Sequence, residues 1–461
     1  MTLDALLSAL GPQVVQPGDA ANRAYLTDWT TREPVVPLAV LRPGSVQEVA
    51  RALEICSARG VPVVTQGGRT GLVGGAAPLA EGVVISLDRM AAEPEIDAAA
   101  RTARVEAGVT LAQLQEAAAA KGMMFPVDIG SRGSCQIGGM ISTNAGGMRA
   151  FREGVMRHNV LGLEAVLPDG RVMSAMNGFL KNNTGYDLKQ LFIGAEGTLG
   201  VVTGAVLRLR PAPSARVTAL LRTPDLKHAL AVLEALETHL AGLSICEVMW
   251  PDYYSFASGF RGFDPLPCNS RDDGLTLLIE IEGAEEAPLR KGLQEVLEQL
   301  FEKELITDGA IAQSLRQIEE FWALREANEG LPQAFASMAS FDVSLLAEGS
   351  DDLIMHLTAT LRQVFPRLHC LWFGHLGDMN LHLGVVDAGG GRIAPEDVAR
   401  IKEIVLSGVL EAGGSIAAEH GIGMAKASYM PQILSAEEIA LSQTLRAVLD
   451  PKGIMNPGRL F

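Results

Sequence analysis

Basic residues are in deficit. Over 461 residues, 38 Lys and Arg face 54 Asp and Glu, a net charge of −16. A chain this acidic is poorly suited to a phosphate backbone, which argues against nucleic acid as a partner. No run of about 18 uncharged apolar residues is present, which excludes a membrane-spanning helix. The start, Met1–Asp4, lacks the basic region of a signal peptide. The five cysteines, Cys56, Cys135, Cys246, Cys268 and Cys370, are scattered and form no C-x-x-C, so neither an iron–sulfur cluster nor a cysteine zinc site is indicated. Isolated thiols suit a reducing compartment, and a cytoplasmic location is expected. With 48% hydrophobic and 20% charged residues the chain has a globular profile. Its length fits two or three domains at about 150 residues each. What the chain does have is glycine, 49 residues in clusters.

The clusters follow a repeated plan. Ser45 and Glu48 are spaced as a capping box before an amphipathic helix with Val46, Val49, Leu53 and Cys56 on one face and Gly60 at its end. A short strand over 61–65 then enters the glycine-rich stretch 67–75. Thr110 and Gln113 form a second capping box, its helix stops at Gly122, and an apolar segment over 123–127 leads to the glycines of 130–139. Strands are predicted over 82–87, 103–108, 163–168 and 200–209, with Asp169-Gly170 as a hairpin turn. Arg210-Pro-Ala-Pro213 marks a boundary. Beyond it, helices are expected over 225–240, 285–304 and 398–411, and strands over 275–281, 338–346, 370–375 and 381–386. The mixture of hairpins and helices is α+β.

Glycine lets backbone N–H groups approach a phosphate because no Cβ intervenes. The segments 67–75, 137–147 and 194–200 fit neither G-x-G-x-x-G nor G-x-x-x-x-G-K-[ST]. One such loop is as consistent with a tight turn as with a ligand. Three, each beside a strand, favour a long phosphate-bearing ligand.

Pro62-Val-Val-Thr-Gln-Gly-Gly-Arg-Thr-Gly71 resembles the pyrophosphate loop of the vanillyl-alcohol-oxidase (PCMH) type of FAD-binding domain, and Gly133-Ser-Cys-Gln-Ile-Gly-Gly139 resembles its second loop. The segment Asn183-Thr-Gly-Tyr-Asp-Leu-Lys-Gln-Leu-Phe-Ile-Gly-Ala-Glu-Gly-Thr-Leu-Gly200 is similar to the D-2-hydroxyacid dehydrogenase branch, and the similarity runs to Asn456-Pro457. The resemblance implies a two-subdomain FAD-binding domain over 1–212. It implies a cap with an antiparallel sheet and flanking helices over 213–420, and a C-terminal segment over 421–461 packing back toward the FAD domain. Positions carried over for FAD are Gly67, Gly68, Arg69, Thr70, Gly71, Gly74, Asp128, Ser134, Gly138, Gly139, Asn144, Gly147, Glu196, Gly200, Val201 and Asn456. The first loop has no histidine, so the histidyl tether of some relatives is impossible. Cys135 could form a thioether, but a packed thiol is favoured, and FAD is expected to be non-covalent.

His375-Leu-Gly-Asp-Met-Asn-Leu-His382 sets two imidazoles seven apart. If Gly377-Asp378 turns, the rings can meet. Asn380, His382 and Gly384 then alternate onto one face. Spacing alone leaves open a divalent metal site or a hydrogen-bonded core pair. The resemblance resolves this toward metal, most simply zinc: His375, His382 and Glu419 become ligands and His420 the base, with Arg325 and Asn380 on the substrate. It implies oxidation of a D-2-hydroxy acid to the 2-oxo acid, with hydride to flavin N5. The implied partners are a 2-hydroxy acid and an electron acceptor such as a quinone or an electron-transfer flavoprotein; a homodimer is left open.

The pocket departs from the hydroxyglutarate pattern. Glu329 stands where those members have Thr, Ser340 where they have Lys, and Gly384 where they have Asn. A monocarboxylic substrate is therefore expected. For Arg325 an ion pair with Glu329, one helical turn on, competes with the anchor role. A dioxygen-using FAD oxidase and a non-catalytic flavin-retaining subunit remain the alternatives.

Overall fold

The computed structural model describes residues 2–30, 33–266 and 274–460. Cys268 lies outside them; the other four cysteines are buried, free thiols. The chain divides into two compact units: 1–212 with 419–461, and 213–418. Glu419 and His420, which the sequence places with the cap, belong to the first unit.

The first unit contains two larger sheets. In one, Val15–Pro17 pairs antiparallel with Ala39–Leu41, which runs parallel to Val83–Ser86, itself parallel to Val63–Gln66. Helices Thr2–Leu10 and Val46–Arg59 supply its core through Leu6, Val49, Leu53 and Cys56. Ser45 caps the second of these, accepting from the Glu48 N–H at 3.2 Å. The expected capping box is not closed, however, because Glu48 Oε2 accepts from Gly44 N–H instead. Gly60, at φ 64°, ends the helix in the left-handed conformation that glycine adopts without a Cβ penalty.

The other sheet is fully antiparallel, in the order Glu95–Asp97, Thr102–Glu106, Val201–Arg208, Val160–Val166, Val172–Ala175. The 163–168 strand begins earlier than expected, at Val160, and its hairpin turns at Asp169-Gly170. Helices Leu111–Ala119 and Ile137–Thr143 cover it. Only Met123–Met124 of the 123–127 segment is strand, pairing with Arg210–Pro211. The C-terminal segment joins this unit by a parallel bridge from Met455 to Val63.

The second unit is built on one antiparallel seven-stranded sheet: Asp308–Ile311, Ala215–Thr223, Leu275–Gly283, Leu243–Met249, Leu368–His375, Asn380–Asp387, Met338–Ser344. Helices Pro251–Arg261 and Leu315–Arg325 bury Tyr253, Tyr254, Phe321 and Leu324 with Leu278, Leu371 and Phe373 of the sheet. Ala215–Thr223 and Leu243–Met249 were not anticipated. Leu243–Met249 is buried at every position, so it has no polar–apolar alternation. Among the described residues no helix is long and apolar enough to cross a membrane.

Thr110 closes a complete capping box with Gln113. Thr110→Ala is expected to destabilise the first unit by about 1 kcal/mol, read as a lower urea midpoint followed by circular dichroism. An unchanged midpoint would show the cap to be energetically silent.

Candidate active site

In the first unit a cavity opens where the three glycine-rich segments converge. Its walls include Gly67–Gly71, Gly138, Gly139, Glu196, Gly200, Val201, His420 and Asn456. The approach of backbone to backbone is what demands glycine. A Cβ on Gly68 would lie 1.9 Å from the Ser134 carbonyl oxygen, and one on Gly138 would lie 2.7 Å from the Ala107 Cβ. At Gly71, which is exposed, a Cβ would meet nothing within 4 Å. Arg69 brings a cation to the first loop at φ 59°, its guanidinium 5.1 Å from the centre of the Tyr25 ring.

Glu196 is a staple within this wall. Its carboxylate oxygens accept from Ile422 N–H and Gly423 N–H, each at 2.7 Å, and its carbonyl accepts from Asn456 Nδ2 at 2.6 Å. Burial raises the Glu196 carboxyl above its ordinary value, with those two N–H groups opposing the shift. Asn456 Oδ1 in turn accepts from Thr65 N–H.

Five expected positions do not line the cavity, and each has another task. Asp128 is held by Arg132, at 2.5 and 2.9 Å, and by Gln115. Asn144, at φ 52°, ends helix Ile137–Thr143 and accepts from Arg157 N–H. At Gly147, φ 105°, a Cβ would sit 2.0 Å from the Asp128 carbonyl oxygen. Gly74 turns the first loop at φ 74°, and Ser134 meets Gly68 through its carbonyl. Two cavity residues carry no glycine signal, Gln66 and Gln136, and each has a buried Oε1 without a partner. Such orphaned acceptors fit a ligand with N–H donors, as the isoalloxazine of FAD has. Burial raises the Cys135 thiol above its ordinary value, and its Sγ packs 3.8 Å from Met140 Sδ. Because the thiolate is the nucleophile, this environment disfavours a flavin thioether.

Of the two residues after Ala418, His420 lines the cavity. Glu419 Oε1 accepts from Gly147 N–H at 2.6 Å.

In the second unit the sheet register builds the remaining chemistry. Antiparallel neighbours directly opposite each other point to the same face. Glu247 lies opposite His375, and His375 opposite Asn380. In the next row Phe373 lies opposite His382, and His382 opposite Asp342. The turn after His375 thus brings the two rings together, centroids 5.3 Å apart and nearly perpendicular. Each imidazole has a buried carboxylate at Nδ1: Glu247 Oε1 at 2.7 Å from His375, Asp342 Oδ1 at 3.7 Å from His382. Asn380 gives Nδ2 to Asp342 at 2.9 Å, and its buried Oδ1 has no partner.

Arg325 is buried and does not pair with exposed Glu329 as its sequence spacing allowed. Its Nε donates to Glu247 Oε2 at 2.6 Å, and the guanidinium stands 4.9 Å from the Phe373 ring centre. Burial disfavours ionised Glu247, but the charges of His375 and Arg325 and their hydrogen bonds outweigh it and hold the carboxyl below its ordinary value.

Residues 37–175 match the FAD binding domain model, and residues 212–460 match that of the FAD linked oxidases, C-terminal domain. The chain belongs to the FAD-linked oxidases. It is 36% identical to a D-2-hydroxyglutarate dehydrogenase of Xanthomonas citri pv. viticola over 97% of this chain and 93% of that one. It is 34% identical to a putative mitochondrial D-lactate dehydrogenase of Schizosaccharomyces pombe, over 94% and 84%. The solved structure of p-cresol methylhydroxylase with substrate bound shares the fold, at TM-score 0.76 and 17% identity, covering 100% of this chain and 96% of that chain. This FAD-linked oxidase is thus an FAD-dependent oxidoreductase acting on CH–OH groups, with the PCMH-type fold that its loops resemble.

Gly68→Ala forces the Ser134 loop outward, and overpacking of this kind costs about 1–3 kcal/mol. Flavin affinity is expected to fall accordingly, by roughly 5- to 150-fold, measured as flavin retained through gel filtration. In the parent protein, acid should release all the yellow colour; colour remaining on the precipitate would identify a covalent link at Cys135.

Proposed function

We propose that this FAD-linked oxidase is a divalent-metal-dependent dehydrogenase of D-2-hydroxy acids, and that it prefers a monocarboxylic substrate. The observation that carries the reading is the histidine pair in the second unit, each Nδ1 facing a buried carboxylate. Carboxylate-backed imidazoles are the usual form of metal-ligating histidine, so the donor set fits such an ion. His375 and His382 would hold it; Glu419 is retained as a further ligand on the sequence pattern. A bound dication lowers the pKa of a coordinated hydroxyl. Bound FAD supplies the hydride acceptor for the substrate Cα.

The chain's own residues do the rest. His420, a cavity-lining imidazole, takes the hydroxyl proton as general base. Arg325 binds the substrate carboxylate with its planar fork, its orientation set by Glu247. Asn380 Oδ1 offers a buried acceptor. An electron acceptor, such as a quinone or an electron-transfer flavoprotein, completes the reaction by reoxidising the flavin.

Several relatives are named for D-2-hydroxyglutarate, but at three positions that the resemblance assigns to the substrate this chain departs from that pattern. Ser340 and Glu329 are exposed and supply no cation. A side chain at Gly384 would meet Met338, Leu331 and Leu371, which makes that neighbourhood apolar. A distal carboxylate left unpaired costs about 2–5 kcal/mol, or roughly 30-fold to several thousand-fold. By anaerobic flavin bleaching, kcat/KM for D-lactate or a longer apolar D-2-hydroxy acid should exceed that for D-2-hydroxyglutarate by such a factor, and Ser340→Lys should narrow the gap. A wild-type preference for the dicarboxylate would end the pocket reading and leave the family assignment intact. His420→Ala should keep flavin and metal while lowering turnover by about 10²–10⁴-fold; an unchanged rate removes His420 from the mechanism.

A further inference from the structure

The carboxylate of Glu247 is fully buried and touches two functional side chains at once, His375 through Oε1 and Arg325 through Oε2. We propose that Glu247 is a positioning residue that sets both the ring nitrogen His375 offers to a metal ion and the orientation of the Arg325 guanidinium. The inference rests on the metal reading above and adds a residue that the sequence pattern did not single out.

An ionised carboxylate accepts hydrogen bonds and donates none. At 2.7 Å from Glu247 Oε1, His375 Nδ1 is therefore the protonated nitrogen, and the lone pair of the neutral ring falls on Nε2. His375 can then ligate only through Nε2. The same carboxylate takes the Nε–H of Arg325 at 2.6 Å, and the planar guanidinium leaves little freedom once Nε is fixed. The Arg325 backbone is pinned as well: its carbonyl accepts from the Tyr253 hydroxyl at 2.7 Å, and that hydroxyl accepts from Asn328 N–H at 3.0 Å. Asp342 differs, at 3.7 Å from His382 and with its Oδ1 already accepting from Asn380. Glu247 is the carboxylate that joins a prospective metal ligand to a prospective substrate anchor.

Glutamine at this position keeps the shape and cannot serve both partners. With its carbonyl toward His375, its NH₂ confronts the Arg325 donor. With its carbonyl toward Arg325, its NH₂ donates to Nδ1 and drives the ring proton onto Nε2, where the metal lone pair must be. Either orientation damages one function.

The test is zinc affinity, by competition against a chromophoric chelator, for wild type and Glu247→Gln with flavin content and near-ultraviolet circular dichroism as checks on folding. Loss of a second-layer partner of this kind lowers metal affinity by about 10–100-fold. We expect a fall in that range or, if the amide carbonyl turns toward His375 and the NH₂ toward Arg325, a similar rise in KM for D-lactate at saturating zinc with kcat less affected. Glu247→Asp, which keeps the charge but reaches one partner, should recover one of the two properties. A folded Glu247→Gln protein with wild-type zinc affinity and wild-type KM overturns the inference. Should the variant not fold, the zinc-loaded wild type labelled with ¹⁵N-histidine decides. A His375 ring protonated at Nδ1 and metal-bound at Nε2 supports the proposal, and metal coordination through Nδ1 refutes it. Wild type that binds no divalent ion would sink the metal reading and this inference together, whereas normal zinc binding with an indifferent Glu247→Gln sinks this inference alone.

Discussion

A carboxylate with no solvent exposure, held ionised, must have its counter-charges within reach, and in the second unit that requirement fixes much else. Glu247 meets it with the Arg325 guanidinium at one oxygen, while the His375 ring is hydrogen-bonded to the other. Strand Leu243–Met249 must therefore pair with Leu368–His375 in the register that sets Glu247 opposite His375. A one-residue slip would turn either side chain to the other face and strand a buried charge. Helix Leu315–Arg325 must end where its last residue can reach the sheet. The hydrophobic layer of Tyr253, Phe321, Leu324 and Phe373 holds it there. Such an arrangement is weak as a source of net stability, because desolvation offsets most of the attraction. Its value lies in specificity, since few other packings leave no charge unpaired.

At Glu196 the first unit meets a comparable requirement with backbone N–H groups in direct contact. Glu196 lies in a wall made largely of backbone, and two N–H groups of 422–423 receive its carboxylate. Gly421 allows this: at φ 79°, a Cβ there would lie 2.7 Å from Glu196 Oε1. Dipoles compensate a buried charge less fully than formal cations do. The two carboxyls accordingly shift in opposite directions, Glu196 upward and Glu247 downward. Burial is common to both; the charge of the partner decides the sign.

That difference also explains what could be read from the chain alone. Glycine loops announce themselves because the reason for glycine, close approach of backbones, is local and leaves a mark in composition. Gly68, Gly138 and Gly200 were legible on that ground; Thr110 with its Gln113 partner and the hairpin at Asp169-Gly170 were legible from short-range spacing. The meeting of His375 and His382 was legible because one short turn joins them. Gln66 and Gln136 were not: each lies inside a glycine-loop segment, but nothing in the local pattern marks a glutamine whose Oε1 ends up buried without a partner. Asp128 stood out as an acid beside a glycine loop, and its partner Arg132 lies four residues on.

Glu247 was invisible for a deeper cause. Its strand is buried on both faces and carries no periodic signal, and its partners lie 78 and 128 residues away along the chain. Nothing near residue 247 distinguishes a buried, doubly bonded glutamate from a surface one. The difference arises only when the sheet is assembled and three strands set Glu247, His375 and Asn380 in one row. Residues that bind a ligand directly are often marked by local motif, because the ligand's chemistry restricts short stretches of chain. Residues that orient those ligand-binding groups are restricted by topology instead. They become legible only at the level of register, where a single cross-strand pair in this protein ties a prospective metal ligand to a prospective substrate anchor.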